Sequence, residues 1–131
     1  GTQRANKGLS NTQEVTMYYG MSSSALQKMY VQGSLANEEG NFVFEIKNLI
    51  DSGMVSGITK LVVDDKDVPI ADVTIELAGK VRQANTSMYV SYGAVLKIRV
   101  SGQLEPGEHT IQMTVNVPEL GQLTFPVTAT I

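Results

Sequence analysis

A chain of 131 residues with 42% hydrophobic side chains suits one domain with a core of its own. It has no cysteine, which excludes a disulfide framework, a thiol nucleophile and a cysteine-ligated metal. A net charge of −3 argues against a nucleic-acid surface, and no apolar run approaches the ~20 residues of a membrane-spanning helix.

Residues 1–26 are polar, rich in small side chains and poor in core formers. Opening on Gly1 rather than Met reads as removal of an initiator, leader or tag. Val15, Met17 and Tyr19 alternate with Thr16 and Tyr18 before Gly20 breaks the run, the pattern of a single strand. Ser22, Ser23 and Ser24 either cap one helical turn or belong to plain loop. Such an arm cannot bury enough apolar surface to offset its ordering entropy, so its composition alone predicts disorder; an ordered arm implies that it lies on its own domain or on a neighbour.

From residue 27 the pattern is strand after strand. Met29, Val31 and Leu35 alternate with Tyr30, Gln32 and Ser34, and residues 36–41 turn the chain. Phe42, Phe44 and Ile46 share one face, after which Ser52-Gly53 and Ser56-Gly57 bracket a loop. Ile58–Val63 is β-rich, and Asp64-Asp65-Lys66-Asp67 reads as a tight turn because short acidic side chains tolerate turn dihedrals. Val73, Ile75 and Leu77 alternate up to Gly79, Met88–Val90 makes a short strand, and Ala94, Leu96, Ile98 and Val100 form one face opposed by Lys97 and Arg99. A last hairpin sets Ile111, Met113, Val115 and Val117 against Leu123, Phe125, Val127, Ala129 and Ile131 across the 118–121 turn. Pro126 cannot donate to a ladder, so its strand is expected at a sheet edge or with that position facing outward. The predicted fold is all-β: a single antiparallel β-sandwich, immunoglobulin-like, over 27–131, with an N-terminal extended arm.

Candidate chemistry is sparse. His109 is the only histidine, and its neighbour Glu108 points to the opposite face of a strand, so a lone surface or capping role is expected. Asp64, Asp65 and Asp67 supply the oxygen ligands calcium takes, but without the spacing of a known calcium loop; a solvated turn is the competing reading. Glu38-Glu39 reads as another solvated turn. Asn85-Thr86-Ser87 fits the N-glycosylation pattern of an exported protein. Tyr18, Tyr19, Tyr30, Tyr89 and Tyr92 suit a partner surface, although strand packing equally accounts for the last three.

The order of a strand, the 63–69 turn Val-Asp-Asp-Lys-Asp-Val-Pro, a strand led by Val73-Thr74-Ile75, and then Leu104-Glu105-Pro106-Gly107-Glu108-His109 opening a long strand resembles the small β-subunits of bacterial C-glycoside deglycosidases. The resemblance covers residues 58–131. It implies a β-sandwich that assembles with a larger α/β-barrel subunit carrying most of the chemistry, and it transfers no catalytic residue to this chain.

The expected function is non-catalytic: a structural or assembly subunit that associates through Val15, Thr16, Met17, Tyr18, Tyr19 and the Pro126 edge, in an oligomer or filament. The alternative is the small subunit of a sugar-active hetero-complex. Either way the partner is protein, a second copy or a larger subunit, with no cofactor. An extracellular or cell-surface location is favoured over the cytoplasm.

Overall fold

The computed structural model describes residues 22–131; the strand expected at 15–19 lies outside the described residues. Ser23–Gln27 forms α1, a single turn of helix. Ser22 caps it, its Oγ accepting the Ala25 amide at 3.2 Å and satisfying a donor that the first turn leaves without an intrahelical partner. Leu26, at the expected end of the arm, is fully buried, so the packed region starts before residue 27.

Eleven strands follow: β1 (Ala36–Glu38), β2 (Asn41–Lys47), β3 (Gly53–Val55), β4 (Ile58–Val63), β5 (Lys66–Asp67), β6 (Val73–Leu77), β7 (Lys80–Gln83), β8 (Met88–Val90), β9 (Val95–Ser101), β10 (Glu108–Val117) and β11 (Gly121–Thr130). One sheet runs in the order β1-β2-β9-β6-β7, a second β11-β10-β4-β5, and β3 pairs with β8 as a small ribbon. Every pairing is antiparallel. The chain is thus an all-β sandwich of two facing sheets, immunoglobulin-like in its layering.

The core is built from the alternate positions that the sequence marks. In the first sheet Phe42, Val100 and Val73 form one cross-strand row, and Phe44, Ile98 and Ile75 the next. In the second sheet Val63, Ile111 and Val127 align, as do Leu61, Met113 and Phe125. All twelve are buried. Each such side chain taken out of water stabilises the fold by about 1.5–3 kcal/mol. The outer face of the first sheet holds one buried apolar side chain, Val43, in the row of Arg99. Nearby, Glu38 accepts from Arg99 at 2.6 Å and from Lys97 at 3.2 Å.

Several segments depart from the sequence reading, Lys66 and Asp67 among them, which pair as β5 where a turn over 64–67 is expected. Residues 29–35 do not form a continuous strand: Val31 donates to the Glu45 carbonyl at 2.9 Å, Lys47 donates to that of Met29 at 2.7 Å, and only Tyr30 bridges to Ile46. The chain then lifts off, tied down by the buried Tyr30 hydroxyl, which accepts the Leu35 amide at 3.1 Å, and by Ser34, whose Oγ accepts the Glu45 amide at 2.9 Å. It rejoins the sheet as β1, so the turn expected at 36–41 shrinks to Glu39-Gly40 between the paired Glu38 and Asn41. The loop expected between Ser52-Gly53 and Ser56-Gly57 contains β3, and β7 follows the Gly79 turn without any apolar alternation to announce it.

Gly57 fixes the join between β3 and β4. Its φ is +112°, and a Cβ there would meet the Ala84 carbonyl oxygen at 2.6 Å and the Asn85 Cα at 2.9 Å. That close approach lets the Ile58 amide reach the Ala84 carbonyl at 2.8 Å and the Asn116 amide reach the Gly57 carbonyl at 3.1 Å.

Candidate functional site

The hairpin β10–β11 carries the longest edge strand among the described residues. β11 pairs with β10 alone and has no strand on its other side among the described residues. The direction of its amides follows from the ladder. Ile131 and Gly107 exchange both backbone hydrogen bonds, at 2.9 and 3.3 Å, and such pairs alternate along an antiparallel ladder. Leu123, Phe125, Val127 and Ala129 therefore turn their amides toward β10, while Gln122, Thr124, Thr128 and Thr130 turn theirs outward. Pro126, opposite Gln112, falls in the outward set, where its missing N–H costs the ladder nothing. It stands at the sheet edge that its chemistry requires. It also splits the edge into two pairs of donors, which limits indiscriminate strand pairing. α1 packs on β11.

The acidic turn has a different role from the one weighed for calcium. Asp64 and Asp65 form the two-residue loop of the β4–β5 hairpin, between the paired Val63 and Lys66, with φ of 50° and 66°. Left-handed dihedrals at both positions suit aspartate better than most side chains. Asp64 Oδ1 accepts the Thr110 amide at 2.9 Å, and Oδ2 accepts from His109 Nδ1 at 2.6 Å. Asp67 lies 4.0 Å from Lys60. The carboxylates of Asp64, Asp65 and Asp67 do not converge, and no group of three or more His, Cys, Asp or Glu able to hold a metal occurs among the described residues.

His109 is the residue whose partner the sequence reading missed. It lies on the core-facing side of β10, in line with Ile111 and Met113, and closes one end of the sandwich. Its Nε2 donates to the Glu105 carbonyl at 2.6 Å while Nδ1 donates to Asp64. Both nitrogens face acceptors, so the two contacts are complete when both carry protons and the ring is imidazolium. The Asp64 carboxylate, and then the Glu105 carbonyl, raise its pKa above the ordinary 6.5. In turn the His109 hydrogen bond, and then the Thr110 amide, hold Asp64 below its ordinary 3.8. A ring so engaged has no free lone pair for general-base work. At the sheet face, Arg99 and then Lys97 lower the Glu38 carboxyl below 4.5.

The tyrosines divide. Tyr30 is buried, whereas Tyr89 and Tyr92 are 58% and 61% exposed. Asn85 is exposed in the loop after β7.

Fold and edge together define a β-sandwich whose chemistry-bearing side chains tie its own turns together. The sequence model of the family described as hydroxymethylglutaryl-CoA reductase, N-terminal domain, matches residues 25–131, and the chain belongs to that family. Among solved structures, the N-terminal domain of PorA is similar at 16% identity with a TM-score of 0.35, over 72% of this chain and 81% of that one. A comparison with curated proteins found no match.

Proposed function

We propose that the chain is a non-catalytic structural domain that associates with protein through the outer edge of β11 and residues 15–19 of the arm. The observation that carries this reading is the ten-residue edge strand, with outward amides at Gln122, Thr124, Thr128 and Thr130, against which α1 packs. An extended segment such as Val15-Thr16-Met17-Tyr18-Tyr19 supplies the matching carbonyls on both sides of Pro126. Head-to-tail pairing between copies makes an oligomer or, where it does not close, a filament. The family's description, an N-terminal domain of a reductase, suits a module that stands beside a larger body.

Light scattering on the full chain and on a chain starting at Ser22 tests this. The cut must stop before the helix, because removal of Leu26 would empty a core position. Assembly of the full chain and a folded monomer from the shorter one is the expected result. Equal mass for both contradicts it.

A second reading, the small subunit of a sugar-active complex like the C-glycoside deglycosidases, draws on one observation. The 63–69 turn and the 104–109 segment that carry the resemblance meet at the Asp64–His109 contact. That reading predicts an inactive isolated chain that copurifies with a larger barrel protein.

A further inference from the structure

At the end of the sandwich opposite His109, the two sheets part around a cavity of about 360 Å³, lined by apolar side chains including Ile46, Leu96, Val115, Leu123 and Phe125. Its volume lies at the small end of the range of ligand pockets, about 300–1,000 Å³. One wall is a ribbon formed by residues 47–55 and 88–95. Lys47 pairs with Val95, the Asn48 carbonyl accepts from Gly93 at 2.7 Å, the Tyr92 amide donates to Ser52 Oγ at 2.8 Å, and Met54 faces Tyr89. Asn48 pins the bend in this ribbon: its Nδ2 reaches the carbonyls of Asp51, Val90 and Ser91 at 2.8, 3.3 and 3.2 Å. Its Oδ1 accepts the Ile50 amide at 3.0 Å.

The ribbon gathers the exposed apolar surface. Of the six large apolar side chains exposed among the described residues, Leu49, Met54, Tyr89, Tyr92 and Val95 all stand on it, and only Val81 is elsewhere. Met54 lines the cavity and faces Tyr89 across the ribbon, whereas Val95 stands beside Lys47 on the outer face of the sheet. Exposed apolar and aromatic side chains beside a preformed pocket are the pattern of a protein interface. The charged side chains that line the cavity are Asp51 and Glu119, both exposed and in no ion pair among the described residues. Lys47, at the far end of the ribbon, lies on the outer face of the sheet. Two copies meeting about a two-fold axis would set these carboxylates against one another in a chain of net charge −3, which disfavours a self-interface here.

We infer that this end of the sandwich docks a protein partner that inserts a large apolar side chain into the cavity and sets an adjacent lysine or arginine against Asp51 and Glu119. This inference rests on the association reading and names the chemistry of its partner. It places that partner at a surface separate from the β11 edge.

The chain has no tryptophan, so a tryptophan-bearing peptide can be followed by fluorescence without background. Two capped tripeptides, lysyl-tryptophyl-lysine and glutamyl-tryptophyl-glutamate, are titrated with the full chain. The basic peptide is expected to bind about fivefold more tightly, with a blue-shifted emission as the indole leaves water. In the Asp51→Asn/Glu119→Gln double variant the two affinities converge, and in Met54→Ser/Tyr89→Ser both fall. These positions are exposed, so the fold is retained, and unchanged melting temperatures verify that. Equal affinities in the parent chain, a preference that survives the double variant, or no binding of either peptide each overturn the inference. So does a dimer whose light-scattering mass is lost in Met54→Ser/Tyr89→Ser. If the peptides fail while the chain starting at Ser22 still loses assembly, the docking site falls and the edge reading stands.

Discussion

His109 Nδ1 lies 2.6 Å from Asp64 Oδ2, across 45 residues of sequence, and joins the turn of one hairpin to the first residues of another. With Nε2 bound to the Glu105 carbonyl at 2.6 Å, the imidazolium ties three segments together at the end of the sandwich.

This contact makes stability depend on pH in a defined window. His109 has a raised pKa, so its contribution is complete below its ordinary 6.5 and is lost as pH rises through the higher folded value. Asp64 has a lowered pKa, so its contribution is present above its ordinary 3.8 and is lost as pH falls through the lower folded value. Melting temperature should therefore be highest between these limits and decline on the alkaline side. In His109→Gln the alkaline decline disappears, and stability at pH 6 drops by about 1 kcal/mol, since Asp64 is partly exposed to solvent. An unchanged alkaline slope in that variant contradicts the assignment.

Gly57→Ala meets two obstacles together, a left-handed φ and a backbone oxygen 2.6 Å from the added Cβ. The expected loss is about 3 kcal/mol or more, read from the midpoint of urea unfolding. A variant as stable as the parent shows that the β3–β4 junction relaxes freely.

Tyr30→Phe keeps the buried ring but removes the acceptor of the Leu35 amide. A buried donor left without a partner costs about 1–3 kcal/mol. Faster amide exchange at Leu35 should accompany the loss. A stability change without it would place the effect elsewhere.

Calcium should leave the chain unaffected. Both Asp64 oxygens are occupied by donors, and Asp67 lies near Lys60. Melting temperatures with calcium and with EDTA should coincide. A rise with calcium would revive the acidic turn as a ligand site.

The parts of the fold legible in sequence are those in which one face is apolar and the other polar. Ile111, Met113 and Val115 meet Val127, Phe125 and Leu123 in the register their alternation implies, because a one-residue slip would turn every one of them to solvent. The turn at Asp64-Asp65 was readable because short acidic side chains tolerate its dihedrals, but Lys66 and Asp67, expected in the same turn, pair with β4 as β5. Strands β1, β3 and β7 carried no such signal. They are short and lie at sheet edges or in the ribbon, and their polar or glycine residues are held by a neighbour's ladder rather than by their own pattern. Residues 29–35 showed alternation yet form only a bridge, because the Tyr30 hydroxyl and Ser34 hold the chain off the sheet. Pro126 announced its edge through chemistry alone. The partners of His109 did not, since Asp64 is brought to it by the pairing of β4 with β10 and by no local rule.

Association through the β11 edge is tested most directly by hydrogen exchange at Gln122, Thr124, Thr128 and Thr130, in the full chain and in a chain starting at Ser22, each at a high and a low protein concentration. Slow exchange is predicted at Thr124 and Thr128, the two donors that a five-residue segment laid across Pro126 reaches, in the concentrated full chain, and fast exchange on dilution or without residues 1–21. Equal rates in both chains, or protection that does not change on dilution, would contradict it.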